Sequence, residues 1–141
     1  MTLVDDILAI ENACFDRPWS FETLSFEIHS PLCVMSYEQI DGKPVCYALG
    51  RVVAGEAELL RMGTLPQYRK MGFADKTLRK FIELLQGQSV ESCFLEVRSR
   101  NIAAISLYQK HGFAKVGFRK KYYGDDDAVV MALKAAPHIE P

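Results

Sequence analysis

Glu96 stands in the run Phe94-Leu95-Glu96-Val97, where its neighbours are apolar. A carboxylate on such a strand is costly unless it faces a cleft or a cation. Partly desolvated and facing a cleft, it can accept a proton directly or through water. The rival reading is a structural pair with Arg98 or another cation. Tyr108 follows twelve residues later on a patterned helix. A phenol there either donates its proton to a leaving group or is core with its hydroxyl tied off. A third feature is the segment Arg69-Lys70-Met71-Gly72-Phe73-Ala74. It opens a strongly patterned helix, and uncapped amides at such an end attract phosphate. Gly72 lets the main chain approach a ligand, Ala74 is small enough for a tight first turn, and Arg69 and Lys70 add positive charge. The segment has neither the Gly-Lys-Ser/Thr ending of a nucleotide loop nor a dinucleotide fingerprint, and an ordinary loop with solvated charges would read the same way.

The elements that must position these residues can be read from periodicity. Leu3, Ile7, Ile10 and Cys14 recur at helical spacing after Thr2, a candidate N-cap, and a second helix starts at Ser20 through Phe21, Leu24 and Ile28. Residues 34–40 read as a strand, Asp41-Gly42 as a hairpin turn, 45–54 as the returning strand, and 56–64 as a third after Gly55. Ala74, Leu78, Phe81, Ile82 and Leu85 form one apolar stripe of a helix that ends at Gln86-Gly87-Gln88. Residues 92–97 form a strand, and Asn101 caps a helix from Ile102 to about His111 that Gly112 stops. Strands at 115–118 and 128–133 close the chain. This order predicts an α/β (α+β) fold with a mixed sheet, parallel where helices intervene.

The 141 residues suit one domain over residues 1–135, followed by a loose tail at 136–141. With 49% hydrophobic and 25% charged residues and a formal net charge of -1, bulk charge argues against general nucleic-acid binding. No apolar run reaches the roughly 20 residues that a membrane span needs, and no basic region precedes an apolar one at the N-terminus. Cys14, Cys33, Cys46 and Cys93 form no C-x-x-C pair and read as structural thiols in a reducing cytoplasm. His29, His111 and His138 share no ligand spacing, so no metal is expected, and His111 is expected to serve the end of its helix. Nothing in the pattern sets an oligomeric state.

The hexad 69–74 resembles the Gln/Arg-x-x-Gly-x-Gly/Ala pyrophosphate loop of the GNAT superfamily of N-acetyltransferases. The likeness continues in order through Ile10-Glu11, Pro18-Trp19-Ser20, Leu95-Glu96-Val97-Arg98, Asn101, Ala103-Ala104, Leu107-Tyr108, Gly112-Phe113, Tyr122-Tyr123 and Met131-Ala132-Leu133. In these the chain is similar to the RimI branch, which acetylates the N-terminal amine of a ribosomal protein. The resemblance implies a mostly antiparallel mixed sheet of about six strands flanked by about four helices. The first strand usual in the family is expected to be reduced, because the sequence opens almost directly on the first helix. Acetyl-CoA is the implied co-substrate, held by Met62, Gly63 and Thr64, by Arg69, Lys70, Met71, Gly72, Phe73, Ala74 and Asp75, and by Asn101. The strand carrying Met62 to Thr64 is expected to splay from its neighbour and offer backbone groups to the pantetheine and the thioester carbonyl.

By the same resemblance Glu96 is the general base and Tyr108 the general acid. Trp19, Tyr122 and Tyr123 flank the groove for a protein N-terminal peptide, where Trp19 has core packing as its rival role. Asp125, Asp126 and Asp127 read either as a solvated turn or as a surface attracting a basic peptide. An α-amine suits such a base, since its pKa of about 7.7–8.0 leaves much of it neutral near neutrality, unlike a lysine amine near 10.4. Two other readings stay open: an enzyme of the family acting on a small amine, a lysine or a wider set of N-termini, and a binding module without catalysis.

Overall fold

The computed structural model describes residues 2–120 and 126–134, so Tyr122, Tyr123, Asp125 and the expected tail lie outside the described residues. The described chain enters through α1 (Leu3–Cys14) and α2 (Phe21–His29). Thr2 caps α1 in a reciprocal box: its hydroxyl oxygen accepts from Asp5 N–H, and Asp5 Oδ2 accepts from Thr2 N–H at 2.9 Å. Ser20 caps α2 by accepting from Thr23 N–H at 3.1 Å. Three strands follow, β1 (Cys33–Ile40), β2 (Lys43–Val53) and β3 (Glu56–Thr64). Asp41-Gly42 and Ala54-Gly55 turn them with positive φ at both residues of each pair, the conformation that matches strand twist.

A single 3₁₀ turn at Pro66–Tyr68 leads to α3 (Phe73–Gln86), then β4 (Ser92–Arg98), α4 (Ile102–Lys110), β5 (Ala114–Arg119) and β6 (Ala128–Lys134). α3 ends where Gln86-Gly87-Gln88 was expected to end it, with Gly87 as its C-cap. Gly87 keeps a right-handed conformation, and the left-handed residue is Ser89. Gly112, at φ 98°, ends α4 as its position suggested.

The six strands lie in the order β1-β2-β3-β4-β6-β5, antiparallel throughout except where β3 meets β4. One face packs on α3 and α4 through Leu78, Phe81, Leu85, Ile105 and Tyr108. The other packs on α1 and α2 through Ile7, Ile10, Leu24, Tyr47 and Leu49. Gly50, at an irregularity of β2, is where the first layer closes most tightly. A Cβ there would lie 2.4 Å from the Glu58 carbonyl oxygen and 2.6 Å from Phe81 Cζ. Gly50→Ala is expected to cost about 3 kcal/mol or more in urea unfolding, because the obstacle on one side is backbone. A cost under about 1 kcal/mol would mean that β2 yields.

Cys46 and Cys93 are buried, and burial pushes the Cys93 thiol up to about 12. Both therefore pack as neutral hydrophobes. No helix among the described residues is long and apolar enough to cross a membrane.

Candidate active site

The sheet opens between its two middle strands. β3 and β4 pair in parallel only at Glu56 with Ser92, Ala57 with Cys93 and Glu58 with Phe94. Beyond these, residues 59–64 pair only with β2, and residues 95–98 only with β6. Met62, Gly63 and Thr64 thus line one side of a V-shaped gap and Glu96 stands on the other. Cys93, Leu95 and Val97 pack against α3 and α4, so strand alternation turns Glu96 to the face that carries α1 and α2. Tyr108 belongs to the opposite face. The carboxylate and the phenol therefore belong to opposite faces of the sheet.

At the mouth of the gap, Gly72 is the N-terminal cap of α3, with φ 88° and ψ 1°, and no side chain caps that end. A Cβ on Gly72 would meet nothing within 4 Å, so the main chain at the turn is open on that side. Lys70 also has positive φ, at 63°, which bends the turn back on itself. An open left-handed turn feeding an uncapped helix is what a pyrophosphate needs, and residues 70–74 fit it. Met71 is exposed at the turn.

Two charged residues near the turn have protein partners in this structure. Arg69 folds back, donating from Nε to the Thr64 carbonyl oxygen at 3.1 Å, with Nη2 at 3.6 Å from Cys14 Sγ. Its charge sits at the end of β3. Asp75 Oδ1 lies 2.9 Å from His111 Nε2 and 3.0 Å from Lys110 Nζ, and the His111 contact foremost holds this carboxyl below its usual value. His111 thus joins the end of α4 to the start of α3, and what Asp75 offers an anion is its backbone N–H.

Glu96 is 21% exposed, and its Oε1 meets Arg119 Nη2 at 3.1 Å. The pairing cation comes from β5, not from the adjacent Arg98. Tyr108 is nearly buried, with its ring edge-on to Phe113 at 5.8 Å between centroids. Asn101 Oδ1 accepts from Ala104 N–H at 3.2 Å and so serves as the cap of α4. Met62 packs partly against the α3 layer, and Gly63 admits α1, since a Cβ there would lie 3.1 Å from Cys14 Sγ. Thr64 donates its hydroxyl towards Cys46 Sγ, and its carbonyl accepts from Cys14 as well as Arg69. Trp19 is half-buried against α1.

The acidic run needs correction at Asp126. This side chain turns inward and is only 7% exposed. It accepts from Ser99 Oγ at 2.7 Å, from Arg100 N–H at 3.2 Å and from Asp127 N–H at 2.8 Å. It ties the β4–α4 connection to the start of β6, and is not a solvated lure for a peptide. The Ser99 hydroxyl foremost, then the backbone amides, hold its carboxyl down to about 2. Its contribution to stability is therefore complete above the ordinary aspartate value of about 3.9 and is lost as pH falls through the lowered one. Asp126→Asn is expected to flatten the fall of melting temperature between about pH 4 and about pH 2 in scanning calorimetry. Equal slopes would remove that role.

Among the described residues no group of three His, Cys, Asp or Glu side chains could hold a metal ion. The sequence reading assigned no role to Glu11, which is fully buried. The available signal was a carboxylate on the apolar stripe of α1, between Ile7, Ile10 and Cys14.

The sequence matches the acetyltransferase (GNAT) family over residues 4–113. A [ribosomal protein bS18]-alanine N-acetyltransferase of Haemophilus influenzae is 39% identical over 131 residues, 87% of this chain and 86% of that protein. The Escherichia coli K12 protein of the same description is 34% identical over 128 residues, 88% of this chain and 86% of its own length. The crystal structure of the ribosomal-protein-S18-alanine N-acetyltransferase from Escherichia coli superposes with a TM-score of 0.87 at 29% identity, covering 98% of this chain and 93% of that one.

Proposed function

This chain belongs to the GNAT acetyltransferase family, and from that premise we propose that it acetylates the N-terminal α-amine of a ribosomal protein in the cytoplasm. Acetyl-CoA supplies the acetyl group as a thioester. The bS18-alanine N-acetyltransferases that match most of the chain support the acceptor class. The single observation that carries the reading is the gap between β3 and β4 with Glu96 on its wall.

In this reading the amides of residues 72–75 and the charge of Lys70 bind pyrophosphate, while backbone groups of Met62 to Thr64 align the pantetheine end. Asn101 keeps its capping role beside that arm. Glu96 accepts a proton from the acceptor ammonium, directly or through water. Arg119, fixed on Oε1, orients the carboxylate. Tyr108 gives its phenolic proton to the departing thiolate from the opposite side. Trp19, with Tyr122 and Tyr123, borders the peptide. Residues 1–135 act as one catalytic unit.

Mass spectrometry of peptides incubated with acetyl-CoA tests this directly. Peptides carrying a ribosomal-protein N-terminus are expected to gain one acetyl group on the α-amine, and lysine peptides and polyamines to gain little. Preferential acetylation of a lysine side chain or a small amine would overturn the acceptor assignment.

A further inference from the structure

Glu11 is the one charged side chain with no exposure among the described residues. Four donors from three other segments converge on it. Oε1 accepts the backbone N–H of Trp19 at 2.8 Å and Arg61 Nη2 at 2.7 Å. Oε2 accepts Arg61 Nε at 3.0 Å and the hydroxyl of Tyr47. Burial first, and the Glu11 charge second, hold the Tyr47 phenol far above its usual value, so it remains a donor. The Arg61 guanidinium in turn lies 3.8 Å from the centroid of the Phe15 ring and 5.0 Å from that of Trp19.

Residues 15–20 form neither helix nor strand, so their path is set by what they touch. Two of them touch this pair: Trp19 hangs from Glu11 by its backbone N–H, and the rings of Phe15 and Trp19 rest on Arg61. Arg61 is also the residue before Met62 on the free side of β3. α1 and Glu96 share one face of the sheet, so the loop stands on the side of the gap from which Glu96 meets an amine. Nothing in the proton transfers uses Glu11 or Arg61.

We propose that Glu11 and Arg61 are a positioning pair that pins residues 15–20 as a rigid wall of the acceptor groove and thereby sets discrimination by size at the acceptor's first residue. This rests on the acceptor reading above. A wall held by a buried fork and two stacked rings cannot withdraw for a bulky side chain, and so favours a small one.

The test exploits two facts. Replacing both partners of a buried pair by neutral groups avoids stranding one charge, and Trp19 is the sole tryptophan, so its emission reports on the loop. In the double variant Glu11→Gln/Arg61→Met, Trp19 emission is expected to shift. KM for a peptide beginning with Ala is expected to rise about tenfold, with KM for acetyl-CoA within about twofold. The ratio of kcat/KM for Ala-first over Leu-first peptides is expected to fall about fivefold. Arg61→Lys, which keeps the charge without the fork, is expected to fall between, and carries the comparison if the double variant does not fold. A folded variant with acceptor KM and Ala-to-Leu ratio unchanged overturns the inference, as does an equal rise in KM for acetyl-CoA, which marks a merely structural role. If the unsubstituted enzyme acetylates no N-terminal peptide, the acceptor reading fails instead. Trp19 emission then judges the pinning alone, and unchanged emission overturns that too.

Discussion

Glu96→Gln is expected to lower kcat/KM for an N-terminal peptide by about 10²- to 10⁴-fold while KM for acetyl-CoA stays within about twofold. Glutamine keeps the shape of the side chain and can still accept from Arg119, so the geometry of the gap survives. What disappears is the capacity to take a proton. The stability cost should be small, because the partners Arg119 and Glu96 are 58% and 21% exposed and such a pair contributes about 0–1 kcal/mol. Steady-state kinetics beside thermal unfolding therefore separates the two roles that the sequence left open for this carboxylate. A loss of activity under about threefold, less than about 1 kcal/mol of barrier, would leave only the structural pair.

Tyr108→Phe is expected to reduce kcat by about 10²-fold with little change in either KM. The ring is core, edge-on to Phe113 and close to Ile105, and phenylalanine retains that packing. Only the hydroxyl is removed. If Glu96 and Tyr108 serve one transfer from opposite sides of the gap, the doubly substituted enzyme should lose less than the product of the two single losses. Strict multiplication, or a loss under about threefold for Tyr108→Phe, would remove the phenol from the proton path.

The glycine turn before α3, the caps and the hairpins were legible because each is written in neighbouring residues. Thr2, Ser20 and Asn101 cap the helices they precede, and Asp41-Gly42 turns β1 into β2. The stripe of Leu78, Phe81 and Leu85 does face the sheet. Gly72 takes the left-handed conformation that a close approach requires. Glu96 stood out because a carboxylate in an apolar strand demands an explanation.

The partners of charged groups were not legible. Arg119 meets Glu96 by reaching across β6, which lies between β4 and β5 in the sheet. Arg69 and Asp75 read as parts of the phosphate loop, and their protein partners, Thr64 for one and His111 and Lys110 for the other, came only from the structure. Asp126 reads as one of three acidic neighbours, but a buried cage of Ser99 and backbone donors claims it.

By itself, then, the sequence determined the elements and the glycine turn that opens α3, and singled out Glu96 and Tyr108 as candidates, since propensity, capping and period act over a few residues. Only the tertiary structure decided that β3 and β4 part after three pairs, that Glu96 and Tyr108 lie on opposite faces of the sheet, and that Glu11 joins α1 to Arg61. Those choices depend on strand order and on burial, which bring together groups as far apart as the fifty residues between Glu11 and Arg61.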